Sequence, residues 1–376
     1  MVPKPIFSHL QGARRASEGL GGDTTRRGFL YSFSALVASQ IIRTKEATPQ
    51  GAFGIAYTSF PIRTRQSGQS LSEGADPIIL AEKFIDLCKS FGADGCQMDV
   101  AQLSSTDETY LKRLRTMVEE KAMFLELSAN ARVLESPDEL ARLAGTAHAL
   151  GASRLRMAIN GRRYEEFFEM KKWKDFASHW QDSLEKAEPL LKQHRLLVGI
   201  ENHKEWLSDE LAEMLRRISS SYLGACVDFG NNLALLEDSL EVAQKLAPFA
   251  VTTHMKDMAL SECEQGFLLS EVPLGQGILP LAKIMEALRR GRSDIHFCLE
   301  MITRDPLQVP YLDDKYWATY EKRDKSRIEK FKSQVLNKAS SKPLPKISGT
   351  SSARMLAIED DNIRRCVSYS KRTLGL

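Results

Sequence analysis

Several features that mark whole protein classes are scarce in this chain. Its six cysteines, Cys88, Cys96, Cys226, Cys263, Cys298 and Cys366, form no C-x-x-C pair. A zinc ribbon and a thioredoxin-type redox motif are thereby excluded, and a disulfide framework is unexpected in 376 residues. Cys96, Cys226 and Cys298 sit inside apolar, strand-like runs and read as small buried hydrophobes. Charge of one sign is not in excess. The 52 Lys and Arg face 49 Asp and Glu for a formal net charge of +3, which leaves no broad basic field to attract nucleic acid. Histidine occurs only seven times. No G-x-G-x-x-G or G-x-x-x-x-G-K-[ST] follows an early strand, so the common phosphate-binding loops are missing. No apolar stretch approaches the roughly 20 residues that cross a bilayer. What remains is an ordinary globular composition, 43% hydrophobic and 27% charged.

Residues 24–40 read TTRRGFLYSFSALVASQ, with Arg26 and Arg27 ahead of Phe29 and Leu30. This resembles a twin-arginine export signal. The resemblance implies passage of a folded bacterial protein through the twin-arginine machinery to the periplasm. Residues 1–50 are therefore set aside as a leader, with cleavage expected near Ala47.

From residue 52 a rhythm of short β-rich runs and longer amphipathic stretches appears. The runs are 53–60, 94–100, 123–128, 154–159, 196–202, 223–229, 250–255 and 295–302. Helices are predicted over 77–91, 107–121, 136–150, 165–194, 207–218, 237–247, 280–290 and 318–336. Ser136-Pro137 is a helix start, with a capping hydroxyl followed by proline at the first helical position. Gly92 and Gly151 stand where a helix end wants a left-handed residue. Leu140, Leu143, Ala144 and Ala147 share one helical face. Strict β/α alternation with parallel strands needs such crossovers, and eight units suit a closed barrel. The fold class expected is α/β, a single (β/α)₈ TIM barrel over 52–336. An open doubly wound sheet is the alternative. The Pro/Ser/Lys-rich stretch 337–352 reads as a linker, and the remainder of 337–376 as a short helix docking on the barrel.

Barrel chemistry sits at the carboxyl ends of the strands. There the fifth to eighth runs carry Glu201, Asp228, His254 and Glu300, each after three or more largely apolar residues: VGI-E, GACV-D, VTT-H and FCL-E. A carboxylate at the end of a buried strand is costly unless paired or bound to a cation. Neighbouring strands lie about 4.8 Å apart, so four successive ends can converge on one ion. Three carboxylates and an imidazole make a hard shell suited to Mn²⁺, Mg²⁺, Co²⁺ or Zn²⁺.

The spaced motifs ENH (201–203), DFGN (228–231), HMKD (254–257), PLGQG (273–277) and LEM (299–301) resemble the xylose-isomerase-like superfamily of sugar isomerases and epimerases over about residues 52–335. The resemblance implies one divalent ion, Mn²⁺ favoured, held by Glu201, Asp228, His254 and Glu300. It also implies that Glu201 and Glu300 are the acid/base pair of an isomerase or epimerase working through an enediolate on a keto- or aldo-sugar. Gly275 and Gly277 match the family's glycine turn before the seventh helix. His203, Lys256, Arg156 and Asn231 are candidate substrate-binding residues. Arg63 and Gln97 join Arg156 as candidates for setting the sugar, and Trp206 and Phe60 are wall candidates that read equally as aromatic core. Many relatives carry histidine three residues after the strand-six Asp. Asn231 stands there instead and cannot shuttle protons, which weakens a simple tagatose-type 3-epimerase assignment.

Rival functions are a keto-sugar or keto-glycoside lyase (dehydratase) using the same metal and glutamates, and a non-catalytic sugar- or metal-binding barrel. The three-zinc apurinic endonucleases of the superfamily need histidines this chain lacks. His9, His148, His179 and His194 lie in the leader or helical segments, and His296 begins a strand. The expected partner is a small carbohydrate, with no nucleic acid and no transmembrane span. A homodimer, common among related barrels, is compatible with this reading.

Overall fold

Each apolar run becomes a strand because its residues are buried on both faces, the condition parallel sheets impose. In the computed structural model, which describes residues 52–68, 79–152 and 154–376, the strands are β1 (Phe53–Ala56), β2 (Gly95–Asp99), β3 (Phe124–Asn130), β4 (Arg154–Ala158), β5 (Leu197–Glu201), β6 (Leu223–Asp228), β7 (Ala250–Met255), β8 (Asp257–Cys263), β9 (Gly266–Val272), β10 (Phe297–Leu299) and β11 (Leu307–Val309). The helices are α1 (Pro61–Gly68), α2 (Ala81–Phe91), α3 (Glu108–Glu120), α4 (Pro137–Leu150), α5 (Arg163–Glu166), α6 (Met170–His194), α7 (Ser208–Ile218), α8 (Ser239–Leu246), α9 (Leu281–Gly291), α10 (Lys325–Gln334) and α11 (Ser352–Tyr369). The parallel strands close into a barrel in the order β1-β10-β7-β6-β5-β4-β3-β2. This is the expected α/β TIM barrel. The leader, residues 1–50, lies outside the described residues, as do residues 77 and 78 of the first predicted helix.

Local chemistry sets the helix ends. Ser136 accepts from the Glu139 amide and Pro137 opens α4, while Gly92 and Gly151 adopt the left-handed conformation that ends α2 and α4. Asp107 and Asp238 cap α3 and α8 through their carboxylates.

Four departures from the sequence expectation have physical causes. The first run stops at Ala56 because the chain turns over Tyr57–Ser59. The 165–194 helix divides into α5 and α6, with Phe167 extended between them. The 318–336 helix begins only at Lys325, where Asp324 supplies the cap. Strict alternation breaks after β7, where β8, β9 and β11 form a separate antiparallel sheet, with Gly266 at φ +151° in its turn. No helix among the described residues is long and apolar enough to cross a membrane.

The carboxyl-terminal segment is more built-in than a linker and short helix. Asp305 accepts from the amides of Ile347 and Ser348 at 2.7 and 3.0 Å, and Leu344 and Ile347 are buried. The helix α11 runs for 18 residues. Its Glu359 accepts from the Ile62 and Arg63 amides at 2.7 and 3.1 Å, so one helix caps the amino terminus of another, α1. Ile363, Cys366 and Val367 bury against the barrel. Each apolar side chain buried this way contributes about 1.5–3 kcal/mol. The part-exposed Arg63–Asp360 pair contributes about 0–1 kcal/mol, so the apolar face holds the helix and the polar contacts fix its register. Five cysteines are buried and Cys263 is partly exposed, all unbridged.

Burial pushes the Glu359 carboxyl up to about 7 against the two amides and Arg63 that favour its ionised form. A carboxyl that ionises less readily in the folded chain binds more protons there than when unfolded. Its contribution is complete below the unfolded value of about 4.3 and is lost as pH rises through 7. Denaturant midpoints measured from pH 4.5 to 8 should therefore decline through a component that Glu359→Gln removes; an identical slope in the variant would show that Glu359 does not carry it.

Candidate metal centre

Glu201 ends β5, Asp228 ends β6, His254 is the penultimate residue of β7 and Glu300 follows β10. Register places Asp228 beside His254, while Glu201 pairs with Cys226, two residues before Asp228, and Glu300 follows two residues after Cys298, the partner of His254. One donor atom from each of the four lies within 4.8 Å of all the others, and all four residues are buried. The structure thus brings together the four side chains singled out in the sequence, and this group can hold a metal ion.

Two buried cations answer part of the negative charge. Arg156 forks onto Glu201 Oε2, with Nε at 2.7 Å, and its other arm donates to Ser128. Lys256 Nζ lies 2.8 Å from Asp228 Oδ2 and contacts Glu300 Oε2. Asp228 Oδ1 accepts from the Gly230 and Asn231 amides at 2.8 and 2.7 Å. Asn231 Nδ2 donates to Glu201 Oε1 at 3.0 Å. With His254 neutral, three carboxylates against two cations leave one uncompensated negative charge in a water-poor site.

The ionisation balance reflects this. Burial raises the Asp228 carboxyl to about 6, Glu300 and Glu201 adding to it and Lys256 opposing. For Glu201, burial is outweighed by Arg156 and His254, which hold it well below the usual carboxylate range. For Glu300, burial is outweighed by His254 and Lys256, with the same result. Burial disfavours the His254 imidazolium, yet Glu300 and Glu201 carry it up to about 9.

The decisive detail is the orientation of His254. Gln97 Nε2 donates to Glu126 Oε2 at 3.1 Å, so the Gln97 carbonyl faces His254 Nε2 at 2.7 Å. A carbonyl only accepts, so Nε2 carries a proton. That leaves Nδ1 pointing at Glu300 Oε1, Glu201 Oε1 and Asp228 Oδ2, at 3.2, 3.4 and 4.0 Å. His254 Nδ1 has no hydrogen-bond partner. A lone pair facing three carboxylates is repulsive, and either a second proton or a cation relieves it. A divalent ion answers the whole set, so the donors fit the hard shell expected of them.

The remaining candidates separate by position. Arg156, Lys256 and Asn231 all touch the carboxylates, so each is placed in the cluster itself. His203 stands apart from it, its Nδ1 3.5 Å from Glu205 Oε2. Trp206 and Phe60 are core: Trp206 packs on Trp173 and Phe176, and Phe60 on Phe84 and Phe91. Arg63 pairs with Asp360. Gln97, expected on the substrate side, lies buried where it orients His254. Gly275 and Gly277 do more than turn: their amides both donate to Asp257 Oδ2 at 2.9 Å, and a Cβ on Gly275 would sit 2.2 Å from the Tyr369 ring.

Sequence reading missed the layer beneath. Glu126 accepts from Gln97, from Thr252 at 2.5 Å and from His296 at 2.8 Å. Asn202 clamps Asp228 through the backbone, accepting from its amide at 2.7 Å and donating to its carbonyl at 2.9 Å. The available signal was a glutamate inside the apolar run MFLELS, which must have partners.

A model of the family described as "Xylose isomerase-like TIM barrel" matches residues 85–320. A 3-oxo-isoapionate decarboxylase from Pectobacterium atrosepticum is 26% identical over 204 residues, 54% of this chain and 70% of that protein. A D-psicose 3-epimerase structure determined in the presence of D-fructose superposes with a TM-score of 0.54 at 12% identity, covering 86% of this chain and all of that one. The D-psicose 3-epimerase from Clostridium cellulolyticum H10 with D-tagatose gives 0.51 at 14% identity, covering 86% and 99%. At these identities the two structural likenesses are of fold.

Replacing Gln97 with leucine removes the acceptor that fixes the His254 tautomer. Gln97→Leu should weaken Mn²⁺ binding about 10–100-fold by titration calorimetry, with the circular dichroism spectrum unchanged. Equal affinity would remove Gln97 from the metal centre.

Proposed function

The chain belongs to the xylose isomerase-like TIM barrel family, and from that premise we propose that it is a divalent-metal-dependent sugar isomerase or epimerase. The observation that carries the reading is the orphaned His254 Nδ1 facing Glu201, Asp228 and Glu300 at the carboxyl ends of four barrel strands. These four residues would hold the ion, with Mn²⁺ favoured. Such an ion supplies Lewis-acid stabilisation of the negative charge that develops on a carbonyl oxygen when the neighbouring carbon loses its proton.

The rest of the reading concerns the chain's own groups. Glu201 and Glu300 reach the site from β5 and from the end of β10, and are the candidates to take and return that proton. Arg156 and Lys256 hold one oxygen of each, which fixes their direction and leaves Glu201 Oε1 and Glu300 Oε1 towards the site. Asn231 steadies the first of these oxygens. The leader, with Arg26 and Arg27, supports export to the periplasm through the twin-arginine machinery in the same reading.

One observation favours a second reading, a lyase of keto-sugars. Arg156 and His254 hold Glu201, and His254 and Lys256 hold Glu300, well below the usual carboxylate range despite burial, which makes both weak bases. A β-keto acid that loses carbon dioxide leaves the electron pair of the broken bond on the carbon next to the carbonyl, an enolate reached without a base. The decarboxylase from Pectobacterium atrosepticum, 26% identical to this chain, gives that route support. Elimination of a substituent next to the carbonyl draws on the same centre.

Incubation of keto-sugars with the Mn²⁺-loaded protein in D₂O, followed by NMR, separates the readings. Carbon-bound deuterium and a rearranged sugar are expected, with Glu201→Gln and Glu300→Gln each slower by about 10²–10⁴-fold. Release of carbon dioxide or an aglycone would select the lyase. Tight metal binding with no chemistry on any sugar would leave a binding barrel.

A further inference from the structure

Two lysines are buried among the described residues, Lys204 at 3% exposure and Lys256 at 1%. They differ in one respect. Lys256 reaches two carboxylates. Lys204, although just as enclosed, makes no side-chain hydrogen bond or ion pair with any described residue. An enclosed ammonium that touches no carboxylate is unfavourable unless water or a ligand answers it, which makes Lys204 a candidate for holding a ligand.

The backbone around Lys204 is pinned. It stands three residues beyond Glu201, at the mouth of the barrel. Its carbonyl accepts from the Arg163 amide at 3.1 Å, its amide donates to Glu205 Oε2 at 3.0 Å, and it bridges to Arg162 after β4. Burial lowers its pKa to about 8, Arg304 acting with it, Glu271 against it, and Lys256 and Arg162 again with it. Arg304 is already committed, forking onto Glu271 at 3.1 and 2.6 Å. Of the cations around Lys204, Arg304 is paired with Glu271, Lys256 with Asp228 and Glu300, and Arg162 with Glu165, and the buried Glu205 beside it takes the Lys204 amide on Oε2. None of these carboxylates bonds the Lys204 ammonium.

We propose that Lys204 anchors a carboxylate on the substrate, so that the site takes a sugar acid in preference to a neutral sugar. This rests on the reading of the Glu201–Asp228–His254–Glu300 cluster as a catalytic sugar site. A carboxylate suits the position better than a phosphate dianion. Lys204 offers one uncommitted cation, and no glycine-rich loop supplies the amide cradle that phosphates use.

The test uses probes matched in skeleton. 2-Keto-D-gluconate carries a carboxylate where D-fructose carries a hydroxymethyl group, and D-fructose 6-phosphate supplies the other anion. Titration calorimetry is run with MnCl₂ present on the unaltered protein, on Lys204→Met and on Lys204→Arg. The keto acid should bind at least about tenfold more tightly than D-fructose. Lys204→Met should abolish that preference while leaving D-fructose and Mn²⁺ affinity unchanged, and Lys204→Arg should keep most of it. Thermal melting gives a second readout. Lys204→Met removes an unpaired buried cation and keeps the apolar stem, so its Tm should not fall; a lysine kept for structure would lower it.

Equal binding of keto acid and D-fructose, or a keto-acid preference that survives Lys204→Met, overturns the proposal. A Lys204-dependent preference for the phosphate alone, or no binding of any probe, overturns it too. Lys204-dependent keto-acid binding with no deuterium incorporation into any probe would refute the catalytic reading and leave the anchor standing. Proton exchange on D-fructose, together with keto-acid binding that is equal in the unaltered protein and in Lys204→Met, would do the reverse.

Discussion

Three carboxylates and an imidazole are held together out of water at the carboxyl end of the barrel, with two cations to answer them. That imbalance is the constraint on which the rest of the site depends. Ionised groups in such surroundings are tolerated only when paired and hydrogen-bonded. Almost every polar residue nearby can be understood as a response. Arg156 and Lys256 take one oxygen each from Glu201 and Glu300. Asn231 and the amides after β6 take Asp228 and the other Glu201 oxygen. Gln97 turns the imidazole so that its bare nitrogen faces the carboxylates. Each of these contacts lowers the cost of the cluster, and what they leave is completed by a second proton on His254 or by a bound cation.

The order of the layers matters. Directly below the donors lies a second buried carboxylate, Glu126, with His296, Thr252 and Gln97 around it. Its negative charge is stabilised by His296, although burial opposes it, so its pKa is lowered. The direction in which the Gln97 amide points follows from it. A glutamine free to flip could offer His254 either a donor or an acceptor, and only the acceptor leaves Nδ1 bare. The lower carboxylate thus determines the chemistry of the upper site without touching it.

The barrel and its four strand-end donors were legible in the sequence for one shared reason. A buried strand is a run of apolar residues, and a run that ends in Glu, Asp or His at four consecutive strands is hard to reconcile with packing alone. The β8–β9 hairpin was not legible, because MALSECEQGFLLSEV mixes apolar and polar residues in a way that suits a strand or a helix face, and only its pairing with β11 settles the matter. Gln97, Glu126 and Lys204 were misplaced or missed because their roles depend on partners far along the chain. Gln97 and His254 are 157 residues apart, and no local pattern encodes that meeting. The extent of α11 was hidden for a similar reason: its anchor, Glu359, works on amides 297 residues earlier.

Lys256 and Asp257 are neighbours that face different tasks. Lys256 enters the carboxylate cluster, while Asp257 accepts from the amides of Met258, Gly275, Gly277 and Leu279. One peptide bond therefore joins the electrostatics of the centre to the glycine turn ahead of α9. Lengthening or re-aiming that turn would drag an ammonium out of register with Asp228 and Glu300. This side of the mouth is consequently a poor place for evolutionary tinkering.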